Sequence, residues 1–482
     1  MSEGLDYSSL EREKSKSASV KDGVLSSAMI GIGESFVVPF ALFLGVPGGI
    51  VGLLQPFCKF FGSLMQIFTL PFVSGIKSKR KFIFIGVIFQ AFIWAFFSLI
   101  AFFMIGIDQV ISLIFALFAL NYISTYVTNP PWAAWMADIV PECERGVYFA
   151  KRNKYGIIFM VIAMLFGGWL LDKLSFDKSL GFAILFALAF LIRLISSKFI
   201  WDMHEVKSEQ NEDHQYHVKL GEIIFNPAFK DEKLFIFYIF FIMAGTYICS
   251  PFLDIYMLST LGFSYVTWSI IRFAGTFSKP LALPYWGKLI DRFGNRPVLY
   301  VTGLLIPLIP IFWIFSKDPH ILFFFEVFSG IAWGGFELAA FNYTISSRNP
   351  AFRTVQTAAY NFSNTFGMFA GALVGAAIFT LWPVSAPIEV FIGMFAISGI
   401  ARYVASLYFL PKFSAKSFAP ISSSEFLWQV MLAQPQREMR QAAGLFVASG
   451  YHMASSGISI SRRAIKNGVE VTLEMIKRKR RR

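Results

Sequence analysis

From about residue 24 to residue 410 the chain alternates long apolar stretches with short polar breaks. Each stretch is long enough to cross a hydrocarbon core of about 30 Å as a helix. Gly and Pro positions, charge clusters and segment length place spans 1 to 6 near residues 24–44, 48–74, 82–105, 110–138, 155–172 and 180–200. Residues 201–233 are polar and too charged to cross. Spans 7 to 12 follow near 234–258, 264–286, 298–315, 320–345, 358–381 and 388–410. A transmembrane β-barrel would show short alternating segments, and the sequence has none. The pattern predicts an all-α polytopic membrane protein with about twelve transmembrane helices in two pseudo-symmetric six-helix bundles. Its parts are an N-terminal segment 1–22, a bundle 23–200, a linker 201–233, a second bundle 234–410 and a tail 411–482.

Length alone, 482 residues, would suggest about three soluble domains. Composition removes that reading: 56% of residues are apolar, 15% are charged and the mean hydropathy is +0.58. Of the three cysteines, Cys58 and Cys249 fall in apolar stretches and Cys143 in a charged loop, so no disulfide framework is implied. His204, His214 and His217 stand in the linker without a Cys pair or fixed carboxylate, and no metal site is expected. Neither a phosphate-binding loop nor a catalytic triad occurs, which argues against an ATP-driven pump or an enzyme and implies no cofactor. Residues 1–22 have no apolar core or cleavage site, so no removable signal peptide is expected.

Basic residues set the orientation, because translocation disfavours Lys and Arg near span ends. With the N-terminus inside, the inside segments hold 34 basic residues and the outside loops three, Lys173, Lys178 and Lys317. Both termini are therefore expected in the cytoplasm, in a prokaryotic inner or plasma membrane. Much of the +13 net charge lies in residues 411–482, which carry 13 basic and 4 acidic residues and end in Lys477, Arg478, Lys479, Arg480, Arg481 and Arg482. With Ile465, Val469, Leu473 and Ile476 at helical spacing ahead of it, this end reads as a basic amphipathic helix on anionic lipid. It lacks the aromatic interleaving of a nucleic-acid tail, so no nucleic-acid partner is expected.

The two sets of spans also resemble each other. Phe60, Gly62, Leu70 and Pro71 match Phe273, Gly275, Leu283 and Pro284 at a separation of 213 residues. Arg145, Val147, Ala150 and Asn153 match Arg353, Val355, Ala358 and Asn361 at a separation of 208. Two independent matches at nearly one offset argue for an internal duplication, which in transporters locates the binding site between the copies.

The loop between spans 8 and 9 runs Gly287, Lys288, Leu289, Ile290, Asp291, Arg292, Phe293, Gly294, Asn295, Arg296. It resembles the signature GxxxDRxGxRR of the major facilitator superfamily, with Asn295 where a base is usual. Residues 129–153 look like the fourth-to-fifth span junction of a poorly characterised prokaryotic group of that family, and the resemblance covers roughly residues 22–410. It implies a secondary transporter working by alternating access, and a conformational gate made of Gly287, Asp291, Arg292, Gly294 and Arg296. Physically, the two glycines permit a tight turn and Asp291 can pair with Arg292 or Arg296, or face a helix N-terminus. The first-half counterpart, Gly75 to Lys81, has no aspartate.

A charge near the bilayer centre costs about 2.5–3.5 kcal/mol, so each one invites a reason. Glu34 lies in span 1 ahead of Pro39, and Lys59 and Arg272 are the symmetry-related cations of spans 2 and 8. Glu326 and Glu337 lie in span 10 and Asp254 in span 7. Asn121 belongs to a polar stripe on span 4 that would line a cavity or bond helix to helix. Lys59, Arg272, Glu34, Asn121 and Glu337 are the candidate substrate-binding residues. One reading is a midplane site whose paired cations meet a small organic or inorganic anion, with carboxylates exchanging protons. Another is a set of structural ion pairs such as Glu34 with Lys59. If Glu34 or Glu337 neutralises one cation, a proton-coupled site for a neutral or cationic solute results. A non-transporting sensor or lipid-moving protein on the same scaffold is the alternative of another class. The expected partners are a small-molecule substrate, a proton or other coupling ion, and anionic lipid, around a monomer.

Overall fold

A computed structural model describes residues 9–73, 78–103, 107–141, 144–205, 230–345, 350–382 and 387–412; helices and turns account for its regular structure, with no strand among the described residues. Span 1 is the helix Ser9–Ile32, a 3-10 turn Glu34–Phe36 and the helix Val37–Phe43. Spans 2 to 6 are Gly48–Val73, Lys79–Phe103, Ile107–Ile139, Arg145–Lys173 and Lys178–Trp201. Span 7 begins as Lys230–Tyr247 and continues through a 3-10 turn Ser250–Phe252, the short helix Leu253–Ile255 and a π turn Tyr256–Thr260. Spans 8 to 12 are Tyr265–Phe293, Asn295–Leu305 with Leu308–Phe315, Pro319–Ile345, Pro350–Leu381 and Pro387–Phe409. Among the described residues ten spans are long and apolar enough to cross a membrane, and the two outside that group, 2 and 8, carry Lys59 and Arg272.

Packing repeats as the sequence does. Span 1 lies on 5 and 6, 2 on 4, and 3 on 4 and 6; span 7 lies on 11 and 12, 8 on 10, and 9 on 10 and 12. Adding six to each partner in the first set gives the second. The halves meet where span 2 packs on 11 and span 5 on 8, a pair of contacts that the same operation exchanges. Such an arrangement is what two copies related by a pseudo-two-fold axis produce.

Small residues permit the closest approaches. A methyl group at Gly330 of span 10 would overlap the Ser278 hydroxyl and the Gly275 carbonyl of span 8, and one at Gly371 of span 11 would overlap the Ala244 carbonyl of span 7. Without a hydrophobic force between helices in lipid, this backbone proximity is what supplies dispersion contact.

Several helices outrun their apolar windows at the end where the 8–9 loop lies. Span 1 begins at Ser9 and not near residue 24, span 5 at Arg145, span 11 at Pro350, and span 8 continues to Phe293. The expected N-terminal segment is thus, from Ser9, a helical extension docked on its own bundle. Lys16 bridges Glu13 and Glu144. Buried Asp22 lies 3.6 Å from Arg152 and 3.7 Å from Arg193, and accepts a hydrogen bond from Ser196 at 2.7 Å. Of the linker, residues 206–229 lie outside the described residues, as do Cys143 and the basic tail from residue 413.

Candidate functional site

The chain breaks span 1 at Glu34. Pro39 has no N–H to donate to the Ser35 carbonyl four residues back, so the α ladder opens there. The backbone tightens into a 3-10 turn, and the Ser35 hydroxyl bonds the Ile30 carbonyl at 3.1 Å. Span 7 breaks at the matching place, with Pro251 inside the turn Ser250–Phe252. Phe36 and Phe252, each buried in its turn, are 216 residues apart. Interrupted helices at equivalent places of two repeats are where transporter sites form.

Around the first break Tyr122 of span 4 donates its hydroxyl to Glu34. The Lys59 ammonium lies 5.7 Å from the centre of the Tyr122 ring. The expected Glu34–Lys59 ion pair is not formed within 4 Å among the described residues: Tyr122 takes the Glu34 carboxylate, and Lys59 stays within electrostatic reach of it. Around the second break Arg272 Nε lies 3.2 Å from Asp254 Oδ1, which also accepts the Trp268 indole N–H at 2.9 Å. Arg272 is therefore neutralised by Asp254 and not by Glu34 or Glu337. Glu337 takes Lys279, two turns along span 8, at 2.6 Å. Between the halves Tyr126 is within electrostatic reach of Lys59 and Tyr247, and Tyr247 of Arg272, Glu337 and Lys279.

Asn121 is not on a cavity wall. It is fully buried and its Oδ1 accepts from Gln90 Nε2 at 2.9 Å, in a chain that runs from Arg193 Nε to Gln90 Oε1 at 2.6 Å. The polar stripe of span 4 bonds helix to helix in the first bundle. Asp138 of span 4 binds Lys79 at 2.9 Å. The first-half loop that lacks an aspartate thus ties its bases to span 4 and, through Arg80, to Glu205 at 3.9 Å. Trp135 of span 4 is fully buried with its N–H on the His204 carbonyl at 3.1 Å.

The gate residues are placed unequally. Gly294 has φ +86° and ends span 8, its N–H reaching the Ile290 carbonyl at 2.7 Å, a conformation that favours glycine. Gly287 makes no turn; it lies inside the helix, and a methyl group there would meet nothing within 4 Å. Asp291 and Arg292 are exposed and Arg296 is half-buried. Arg292 lies 4.9 Å from the centre of the Phe293 ring, and Asp291 makes no ion pair with Arg292 or Arg296.

The contacts that join the halves run from the opposite face to mid-span. The Tyr265 and Val266 N–H groups, the first of span 8, both donate to the Asp172 carboxylate of span 5 at 3.0 Å. Ser269 bonds the Met164 carbonyl at 3.4 Å, Phe36 meets Trp268 edge-on at 5.4 Å, Thr365 bonds Ser63 at 3.1 Å and Phe369 stacks on Phe60 at 5.0 Å. Asp172 carries no signal of this role in the sequence: it stands beside Lys173 at the end of span 5, and nothing local to such a carboxylate reveals that it caps a helix of the other half.

The family model of the Major Facilitator Superfamily matches residues 23–281 and again residues 240–462. The chain belongs to the Major Facilitator Superfamily. Two overlapping matches, one per half, accord with the duplication, and the second extends past residue 410 into the tail. No curated protein matches this superfamily member in sequence. Its fold is similar to a crystal structure of a point mutant of the nucleoside transporter NupG, with 15% identity, 84% of this chain and 100% of that one covered, and a TM-score of 0.66. A D-xylose–proton symporter aligns with 12% identity over 84% of this chain and 99% of its own, at a TM-score of 0.63. A bacterial homologue of the human lysosomal transporter Spinster, inward-facing and occupied, aligns with 14% identity over 87% and 100%, at 0.60. This superfamily member is a multi-pass secondary transporter and not an enzyme.

Proposed function

We propose that this transporter carries a small polar solute of no net charge between its two bundles, by alternating access. The observation that carries this reading is the Arg272–Asp254 pair at 3.2 Å, which removes the second of the two cations on which an anion site would depend. Lys279 with Glu337 adds a further neutral pair, and Lys59 and Glu34 flank Tyr122 with opposite charges. A balanced set of fixed charges favours hydroxyl, amide or zwitterionic partners over an ion that would arrive without its counter-charge. Glu34, at the break of span 1 and bonded by Tyr122, is the proton-carrying candidate if transport is coupled. With both termini cytoplasmic, the contacts at the opposite face close the outer side, and Asp291, without an ion pair among the described residues, belongs to a gate released on the inner side. The cell membrane and a basic tail on anionic lipid complete the proposal.

An anionic solute is the second reading, and it rests on Lys59, which has no carboxylate within 4 Å among the described residues. Counterflow into proteoliposomes separates the two. Exchange of a labelled sugar, nucleoside or amino acid supports the first. Exchange confined to nitrate, phosphate or carboxylates, lost in both Lys59→Met and Arg272→Met, supports the second and overturns the first.

A further inference from the structure

The second bundle holds a partly open cavity of about 270 Å³ bordered by spans 7, 8, 9, 10 and 12. Arg402 of span 12 lines it and is 3% exposed. Its guanidinium donates to the Ile306 and Thr246 carbonyls and to Cys249 Sγ, each at 3.3 Å. All three acceptors are uncharged, no carboxylate among the described residues lies within ion-pair distance, and Nε has no partner. Trp313, 1% exposed and lining the same cavity, has an indole N–H without a partner among the described residues. Glu326, 7% exposed, lines the cavity too; it lies within electrostatic reach of Arg272 on the same wall but has neither an ion pair within 4 Å nor a hydrogen bond from a described residue. Arg402 and Trp313, each with one buried donor that lacks an acceptor, and Glu326, a carboxylate without a hydrogen-bond donor, thus border one cavity among the described residues. Each is costly to leave unmatched.

The symmetry mate makes the point sharper. Arg193 of span 6, 209 residues earlier, occupies the same place in the first bundle and has a carboxylate partner, with Gln90 at 2.6 Å, Ser196 at 3.2 Å and Asp22 at 3.7 Å. The duplicated scaffold can therefore neutralise an arginine here from within, and the second copy does not.

We propose that this cavity is a subsite for the head group of an amino-acid-like zwitterion. Its carboxylate is taken by Arg402 and the Trp313 N–H, its ammonium by Glu326, and its apolar part lies against Trp333 and Phe395. A guanidinium fork suits a carboxylate. At about 30 Å³ per water the volume equals roughly nine waters, room for a solute of amino-acid size. The proposal rests on the uncharged-solute reading above and narrows it to one class.

Equilibrium binding and thermal shift of the purified full chain in detergent test it, with L-leucine, L-phenylalanine, N-acetyl-L-phenylalanine, L-phenylalaninamide and inorganic phosphate as probes. The expected result is saturable stabilisation by a free amino acid, with the N-acetyl and amide forms at least tenfold weaker. Arg402→Gln and Glu326→Gln should each weaken binding more than tenfold. Trp313→Phe, which keeps the ring and the fold, should weaken it several-fold. Binding by none of the amino acids, meaning a cavity that holds water only, overturns the proposal. So does equal binding of phosphate or the N-acetyl form, or normal binding by Trp313→Phe and Glu326→Gln together. Counterflow separates this failure from that of the transport reading. A sugar or nucleoside exchanged equally by wild type and Arg402→Gln leaves transport standing and removes the subsite, whereas an amino acid bound but never exchanged does the reverse.

Discussion

Asp172 holds the two halves together at the face opposite the 8–9 loop, and removing its carboxylate should shift the conformers of the transporter. Its two oxygens accept the Tyr265 and Val266 N–H groups at 3.0 Å, so one side chain of the first half satisfies two orphan donors at the start of span 8 in the second. Hydrogen bonds to a charged acceptor contribute about 1.5–3 kcal/mol when buried. A carboxylate at an exposed helix N-terminus adds about 0.3–1 kcal/mol. Asp172 is half-exposed, so the lower ends apply and the pair is worth about 1–3 kcal/mol in all. The interaction exists only while this face is closed. Its loss therefore subtracts from the closed conformer and not from the fold, changing the conformer ratio about 5- to 150-fold.

The assay uses Ser269→Cys in a background with Cys58, Cys143 and Cys249 changed to Ser. Ser269 is fully buried between spans 5 and 8, so a maleimide reaches the introduced thiol only when the halves part. In detergent, Asp172→Ala should raise the labelling rate by that 5- to 150-fold. Asp172→Asn, which keeps one acceptor oxygen and no charge, should fall between. If Asp172 merely caps span 8, both variants will melt earlier and label at the parental rate. That outcome, in protein of intact fold, would refute the reasoning.

Four further outcomes are expected. Gly371→Ala pushes a methyl group into the Ala244 carbonyl of span 7 and should destabilise the second bundle by about 1–3 kcal/mol, seen as a lower thermal midpoint in detergent. Asn295→Cys should resist an impermeant thiol reagent in intact cells and react after permeabilisation; labelling in intact cells would invert the orientation. Asp291→Asn should slow counterflow more than it lowers the yield of folded protein, and unchanged flux at equal yield would reduce the 8–9 loop to a topology signal. Glu34→Gln should flatten the pH dependence of uptake while leaving solute exchange, and a variant that keeps the parental pH profile would exclude Glu34 as the proton carrier.

The spans were legible because bilayer thickness imposes a length on each apolar stretch, and the duplication because residues such as Gly62 and Gly275 hold equivalent places in paired helices. Helix ends were not. Beyond the hydrocarbon, hydropathy stops reporting on the backbone, so Ser9 to about residue 23 reads as a polar segment while the chain remains helical there. Buried Asp22 and Lys16 show what such a window cannot: a charged residue outside the apolar stretch can still be interior when a neighbouring helix brings its counter-charge.

For the site, the residue types were legible and their partners were not. A cation in span 8 and carboxylates in spans 1, 7 and 10 announce ion pairs, but which pair forms depends on helix rotation, and a single position along a helix turns the side chain by about 100°. Arg272 meets Asp254, Lys279 meets Glu337, and Glu34 meets a tyrosine hydroxyl. Duplication offers the firmer guide, because it predicts position twice and lets one copy serve as a control for the other. Where the copies agree, as in the breaks at Phe36 and Phe252, the shared feature belongs to the scaffold. Where they differ, as between a compensated Arg193 and an uncompensated Arg402, the second copy retains a cost that the scaffold knows how to remove. Retaining it is intelligible when a solute supplies the missing charge during the cycle.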